Sequence, residues 1–377
     1  MSRIAVLASA LAAWLTFACG NTYWADAPAS YRHEALHVGE VRAGVSARSV
    51  GLADAGRAGT YGADATVNNP AALANLTGPA LSLGGGYWSR ALNSQPSPED
   101  LRAQSYYGSF APTYAAAAYP LAPKRLAVAA AAWVPTDYAY YLGGGGSGTI
   151  ASRGALYALS PAVAAKIGPA AIGVGGDALI GAQHLQTPAA TPRDLSARGY
   201  DLRASAALDH EIKPGWKWAA CAFGRLGQQL RFTGDRAFNL EVGPAAGGAF
   251  TLKAESVNVH LDYVYTFYNR SRSDDAELTR TLAATTRDVG WAFAAAEYVT
   301  AGGAIVRSGV AYRPWYIKSG EHHDTKSLRY GMGAGLPTAE RHGRLDAALS
   351  YGRRAALDVD GYYVDEIEGA LSYNYFW

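Results

Sequence analysis

Between Val257 and Phe267 the sequence alternates between two kinds of side chain. Val257, Val259, Leu261, Tyr263, Tyr265 and Phe267 take one parity, and Asn258, His260, Asp262 and Thr266 take the other. Successive side chains of a strand point to opposite faces, so this segment reads as a sheet element with one apolar and one polar face. The pattern recurs in Tyr200, Leu202, Ala204, Ala206 and Leu208 against Asp201, Arg203, Ser205 and Asp209. It recurs again in Leu345, Ala347, Leu349 and Tyr351 against Arg344, Asp346 and Ser350. Beyond residue 27 there is no run of 18 apolar residues and no long capped helix with a clean 3.6-residue stripe. Hydrocarbon demands that every backbone N–H and C=O be paired within the protein, so a chain of this kind that spans a membrane does so as a closed barrel.

The first residues argue for export. Arg3 precedes an apolar run from Ile4 to Phe17, followed by Ala18-Cys19-Gly20, a small-x-small pattern that suits signal-peptidase cleavage after Gly20. Cleavage after Ala25 or Ala27 is a second option, and acylation of Cys19 a third, disfavoured by Thr16 where a lipoprotein signal usually has Leu. The remaining composition fits a membrane wall. There are 43 Gly, 25 Tyr and 9 Trp against 17% charged residues, and Tyr and Trp combine an apolar ring with a polar tip suited to a membrane-water boundary. The 33 basic and 31 acidic residues are interspersed without a basic stripe, which excludes nucleic acid as a partner.

Candidate strands from 81–88 to 362–377 number about 14, each long enough for a tilted crossing, and an even number puts both termini on the periplasmic side. Alanines 129 to 132 obscure the faces of the stretch 125–141. Short turns such as Ile167-Gly168-Pro169 and Lys213-Pro214-Gly215 alternate with longer polar segments, read as loops, at Asn93 to Gln104, Gln186 to Arg198 and Ser271 to Thr286. The last segment places Ile367, Gly369, Leu371, Tyr373, Tyr375 and Trp377 on one face. This terminal aromatic strand resembles the signal by which outer-membrane proteins are handed to the barrel-assembly machinery.

Residues 28 to 79 do not alternate and are rich in Gly, Ala, Asp and Asn, so they belong neither in lipid nor in the wall, and the barrel lumen is the place left for them. Within this stretch, the run from Gly44 through Gly51 to Gly56, followed by Asp64-Ala65-Thr66-Val67-Asn68-Asn69-Pro70-Ala71-Ala72-Leu73, resembles the N-terminal hatch of the FadL/TodX-type transporters of long-chain fatty acids and aromatic hydrocarbons. The Asn69-Pro70-Ala71 step is its most specific part. Gly51 and Gly56 suit tight turns, Asn69 suits a cap or Asx-turn, and Pro70 fixes a bend. The segments Ser160 to Ile167, Ala171 to Gly176 and Leu230 to Asp235 also look like that family's middle strands and turns.

The resemblance implies an all-β transmembrane antiparallel barrel of about 14 strands over 80–377, with a hatch at 28–79 in its lumen and a signal peptide at 1–20. It further implies outer-membrane passage of hydrophobic small molecules, with lipid and the assembly machinery as partners and no cofactor. The chain lacks a recognisable Phe-rich capture loop with a placed basic residue for a carboxylate, so a hydrophobic solute is a better expectation than a fatty acid. An alternative with the same hatch is a PorV-like scaffold for secreted proteins.

No catalytic or metal site is expected. Glu321-His322-His323-Asp324 holds the densest set of metal-ligand types, but reads as a solvated loop. Gly143 to Gly146 lacks the Lys-Ser/Thr of a phosphate loop. The lone mature thiol, Cys221, has no activating partner in the sequence and reads as packing. Asn258, His260 and Asp262 are the candidates for the lumen face.

Overall fold

The structure, a computed structural model, describes residues 37–41, 46–94, 104–138, 140–142, 150–187, 190–317, 327–338, 342–355 and 362–377. The leader at 1–20, the histidine-rich segment at 321–324 and the glycine run at 143–146 lie outside the described residues. Fourteen strands form the wall: β1 (Ala80–Ser94), β2 (Gln104–Ala122), β3 (Leu126–Asp137), β4 (Ile150–Ile167), β5 (Ala170–Thr187), β6 (Ala190–Lys213) and β7 (Trp216–Arg225), then β8 (Ala245–Ala254), β9 (Val257–Thr266), β10 (Val289–Val299), β11 (Ile305–Tyr312), β12 (Ser327–Pro337), β13 (Gly343–Ala355) and β14 (Tyr362–Phe376). Neighbours are antiparallel, and β14 closes on β1 through a ladder from Tyr362↔Ser94 to Phe376↔Ala80. Closure of β14 on β1 removes the two long edges that an open sheet would expose, as the backbone argument requires.

The alternation explains the two faces. On β9, Val257, Val259, Leu261 and Tyr263 are exposed on the outside, whereas His260, Asp262 and Thr266 are buried inside. On β6, Tyr200, Leu202, Ala204, Ala206 and Leu208 are all exposed outward. An exposed apolar belt of this kind suits hydrocarbon and is unsuited to water.

Two loop expectations are corrected. Residues 186–198 are not a loop, because β5 and β6 continue as a hairpin to Thr187↔Ala190. Above the apolar belt the outward side chains Asp194, Ser196 and Arg198 are polar while Leu185, Leu195 and Ala197 are buried inside, so the apolar-out pattern that marks the wall lower down is lost. In the segment 271–286, Ala276–Thr285 forms a helix, α3. Asp275 caps it by accepting from the Glu277 and Leu278 amides at 3.0 Å each, and Leu278 and Leu282 are buried beneath it. Within the segment 216–252 the chain leaves the wall between β7 and β8, which pair directly with each other: a hairpin of Gln229–Gly234 and Phe238–Glu241 intervenes in sequence and pairs with the upper part of β6.

The N-terminal segment runs inside this cylinder as α1 (Ala47–Gly51), α2 (Ala65–Asn68) and a 3-10 turn at Pro70–Asn75 before entering β1. Buried residues of this segment and of the inner wall form one continuous core, including Leu52, Ala65, Leu73, Tyr114, Trp133, Val264 and Phe293.

Candidate lumen site

Each turn of the inner segment meets a wall strand shaped for it. Ser46 caps α1 through its side chain and the Ser49 amide. Gly51 ends this helix with no left-handed torsion; a Cβ there would lie 3.2 Å from the Gly333 Cα, so its role is close approach to β12 and not the turn expected of it. The left-handed turn falls on Ala53, Asp54 and Gly56, the last at φ +91°. A Cβ on Gly331 would overlap the carbonyl of Val50, and one on Gly173 would overlap Pro70 and the Ala71 nitrogen. The inner segment thus lies in notches made by absent side chains.

Asn69 also departs from expectation. It precedes the Pro70–Asn75 turn without capping it, and its Nδ2 donates instead to the Arg57 carbonyl at 3.2 Å, tying two turns together. Asn68 and Pro70 face a cavity on one side of the segment, and the Ala71 amide donates to Ser205 Oγ on β6 at 2.9 Å.

Charge does the rest. Arg48 of α1 clasps Glu297 of β10 with two hydrogen bonds, of 3.1 and 2.9 Å, and both side chains are buried. Glu297 also accepts from Arg307 Nε at 2.8 Å and contacts His260 Nε2 at 3.0 Å, while the His260 Nδ1 meets Thr251 Oγ1 at 2.9 Å. Arg307 reaches on to Asp346 at 2.6 Å. Asp262 accepts from the Gly56 and Arg57 amides at 3.1 and 3.0 Å and pairs with the Arg57 guanidinium at 3.1 Å. On the far side Asp54 pairs with Arg313 at 3.1 Å. Such pairs replace lost hydration with directed bonds, so they fix register more than they add net stability.

Asp64 is handled differently. Burial pushes its carboxyl above the ordinary aspartate range, opposed by hydrogen bonds from Ser46 and Ser82. Ser82 Oγ lies 2.7 Å from both Asp64 Oδ1 and Asn374 Oδ1, yet a hydroxyl has one hydrogen. Both contacts are satisfied when Asp64 carries the second proton.

The inner segment separates two spaces. One, of about 90 Å³, is bordered by Val67, Asn68, Pro70, Trp133, Phe223 and Trp291. The other, of about 450 Å³, lies toward the short-turn rim and is bordered by Tyr61, Asn75, Lys217, Asn258, His260 and Trp377.

No protein-family model matches this sequence, and no curated protein does. Solved structures do resemble it. A FadL homologue of Pseudomonas aeruginosa superposes with a TM-score of 0.64 over 89% of this chain and 99% of its own, at 12% identity. The Pseudomonas putida toluene transporter TodX gives 0.62 over 90% and 99%, at 14% identity. The Ralstonia pickettii toluene transporter TbuX gives 0.57 over 89% and 98%, at 15% identity.

The chain has the FadL-type fold.

Within this FadL-type barrel the wall is discontinuous at one place. The β2–β3 ladder ends at Tyr114↔Trp133, and the β3–β4 register shifts between Trp133 and Thr136. Pro135 lies in that shift, where a residue without an N–H is tolerated because no ladder bond is asked of it. Past the bulge Thr136 and Asp137 pair with Glu40–Val41 of the inner segment. Among the described residues, the upper half of β2 has no ladder to β3. Above the inner segment Phe232 and Phe238 stack at 4.7 Å beside His37, whose Nδ1 lies 2.6 Å from Gln183 Oε1.

The aromatic residues of the last strand lie on the wall. Tyr373 and Tyr375 are half-buried, Tyr375 meets the exposed Trp377 edge-on at 4.4 Å, and the Trp377 amide donates to the Pro79 carbonyl at 3.1 Å. Sequence reading missed the partners of the inner segment, namely Glu297, Arg307, Asp346 and the wall glycines. A charge at inward parity in an otherwise apolar strand, such as Glu297 after Ala295, was the available signal.

Proposed function

We propose that this chain is a channel of the Gram-negative outer membrane for small hydrophobic molecules, with residues 28–79 as its hatch, 80–377 as its barrel and 1–20 as a leader removed on export. The observation that carries the proposal is the coupling at Pro135. The inner segment both fills the lumen and, through Glu40–Val41, holds the bent end of β3 beside the gap in the wall. Displacing the segment frees the same strand that borders the gap, so lumen and lateral path open together. The exposed apolar belt supports the membrane setting, and the similar structures described as toluene transporters and a monoaromatic hydrocarbon channel support the solute class.

Size favours a compact solute. The upper cavity, about 90 Å³, is smaller than the roughly 150 Å³ that holds benzene in an engineered apolar cavity. Even a single ring therefore needs the hatch to shift, and an extended acyl chain needs it to shift further. In this reading Gly51, Gly56 and Asn68 to Ala71 belong to the movable part, Asp262 docks it directly and His260 through Glu297, Asn258 lines the exit side, and Tyr373, Tyr375 and Trp377 serve assembly. The proposal assigns no catalysis to the chain, and no feature of the described residues favours the secretion-scaffold alternative.

The test is uptake by the purified protein in liposomes. Wild type is expected to admit a radiolabelled monoaromatic hydrocarbon while conducting few ions, and deletion of residues 46–75 to open a large ion pore. Absence of uptake by wild type, together with no conductance after deletion, would sink the reading.

A further inference from the structure

The outer wall carries a charge pair that the channel does not use. On the outer face of β6 the exposed side chains run upward from Leu208 through Ala206, Ala204, Leu202 and Tyr200, and change character at Arg198. Arg231 lies directly opposite Arg198 across the ladder, and Ile180 of β5, 58% exposed, lies on its other side. Arg198 is ten residues along β6 from Leu208. At about 3.3 Å per residue and a tilt of about 40°, it stands about 25 Å higher, which is the height of the apolar band of an outer-membrane barrel.

Like charges placed directly opposite in a ladder repel. Both guanidiniums are nevertheless exposed, and among the described residues no carboxylate pairs with either. Other outward arginines are neutralised: Arg353 is held by Asp365 at 2.7 and 3.0 Å, and Arg272 by Glu241 at 2.7 Å. Arg198 and Arg231 border a groove of about 570 Å³ with Tyr200, Gln229 and Asn239. The two acids that also line this groove are engaged: Glu241 by Arg272, which lines it too, and Asp274 by the Asn239 amide and Nδ2 at 2.7 and 2.6 Å. The groove is thus cationic at its centre, and its lower edge continues into the apolar belt.

We propose that this groove binds the phosphate of a lipid headgroup in the outer leaflet. The two guanidiniums donate to the phosphate oxygens, which removes their mutual repulsion, and the acyl chains lie down the face of Ile180, Tyr200 and Leu202. A free anion would gain the charge contacts alone, and the adjoining apolar face selects a lipid. This inference rests on the outer-membrane reading given above.

The experiment titrates the full-length protein in non-ionic detergent with diphosphoryl lipid A, followed by native mass spectrometry, in parallel with dephosphorylated lipid A and inorganic phosphate. The double variant R198Q/R231Q is expected to bind lipid A about ten-fold more weakly. Dephosphorylated lipid A is expected to bind wild type as weakly as lipid A binds the double variant, and R353Q to bind as wild type does. Undiminished binding by R198Q/R231Q, or an equal loss in R353Q, overturns the proposal. Inorganic phosphate bound as tightly as the lipid overturns the lipid as its source. Heat-modifiable gel mobility verifies that each variant is a closed barrel. Hydrocarbon uptake in liposomes free of lipid A scores the channel separately, so either reading can fail while the other stands.

Discussion

The two halves of the inner segment differ in what holds them beyond shape. The half around α1 lies against Gly331 and Gly333 and is clamped by charge as well: Arg48 on Glu297, Asp54 on Arg313, and Asp262 on Arg57 and two amides. The half at Pro70–Asn75 is held by shape, with Pro70 and Ala71 in the notch left by Gly173 and one amide on Ser205. A steric seat is all-or-none, because packed interiors yield little to an inserted methyl group. A charge clamp can be loosened link by link, and each broken link leaves a partner stranded in a dry lumen.

The comparison is broken most decisively by filling the notch. Gly173→Val is expected to unseat the Pro70 half and give large ion conductance in planar bilayers, with strand content by circular dichroism unchanged. If the same recordings show Gly173→Val leaving the pore shut, the notch does not hold the Pro70 half. Next in size is Glu297→Gln, which removes the charge that Arg48 needs. The cost to docking is about 3 kcal/mol, at the low end for a broken buried pair because Arg307 keeps Asp346. Limited proteolysis of the hatch should accelerate accordingly. Ser205→Ala leaves the Ala71 N–H without its partner, which costs about 1 kcal/mol and should appear as a several-fold rise in brief openings.

The smallest effect is expected at Asp64. Its carboxyl is raised in the docked state, so the stability it contributes is fully present below the ordinary aspartate value and is lost as pH rises through the raised one. Asp64→Asn should therefore plug as well as wild type at neutral pH, and should flatten the part of the conductance-pH curve that lies between those two values. A variant that leaks at neutral pH would show that the carboxylate is needed charged.

The wall was legible in the sequence because lipid and lumen impose opposite demands on alternate residues, as at Val257 to Thr266. The same logic failed at Gln186 to Arg198, where the outward residues Asp194, Ser196 and Arg198 are polar and the apolar ones, Leu195 and Ala197, point inward, too few to mark a strand. Pro135 was visible, but it lies in an alanine-rich stretch read as one strand, so the bulge it marks went unread. The Asn69-Pro70-Ala71 step singled out the inner segment, and the seats of that segment were not legible. Arg48 and Glu297 are 249 positions apart, and a glycine that leaves a notch is indistinguishable in sequence from one that makes a turn.

The join between the hatch and the wall has a kinetic consequence. Only residues 76–79 separate the Pro70–Asn75 turn from the first strand, and the Trp377 amide fastens the Pro79 end of that join. A hatch that leaves its seat therefore stays leashed beside it, at an effective concentration on the order of millimolar. Reclosure becomes a first-order event, independent of how many copies share the membrane, so each opening ends on the molecule's own clock.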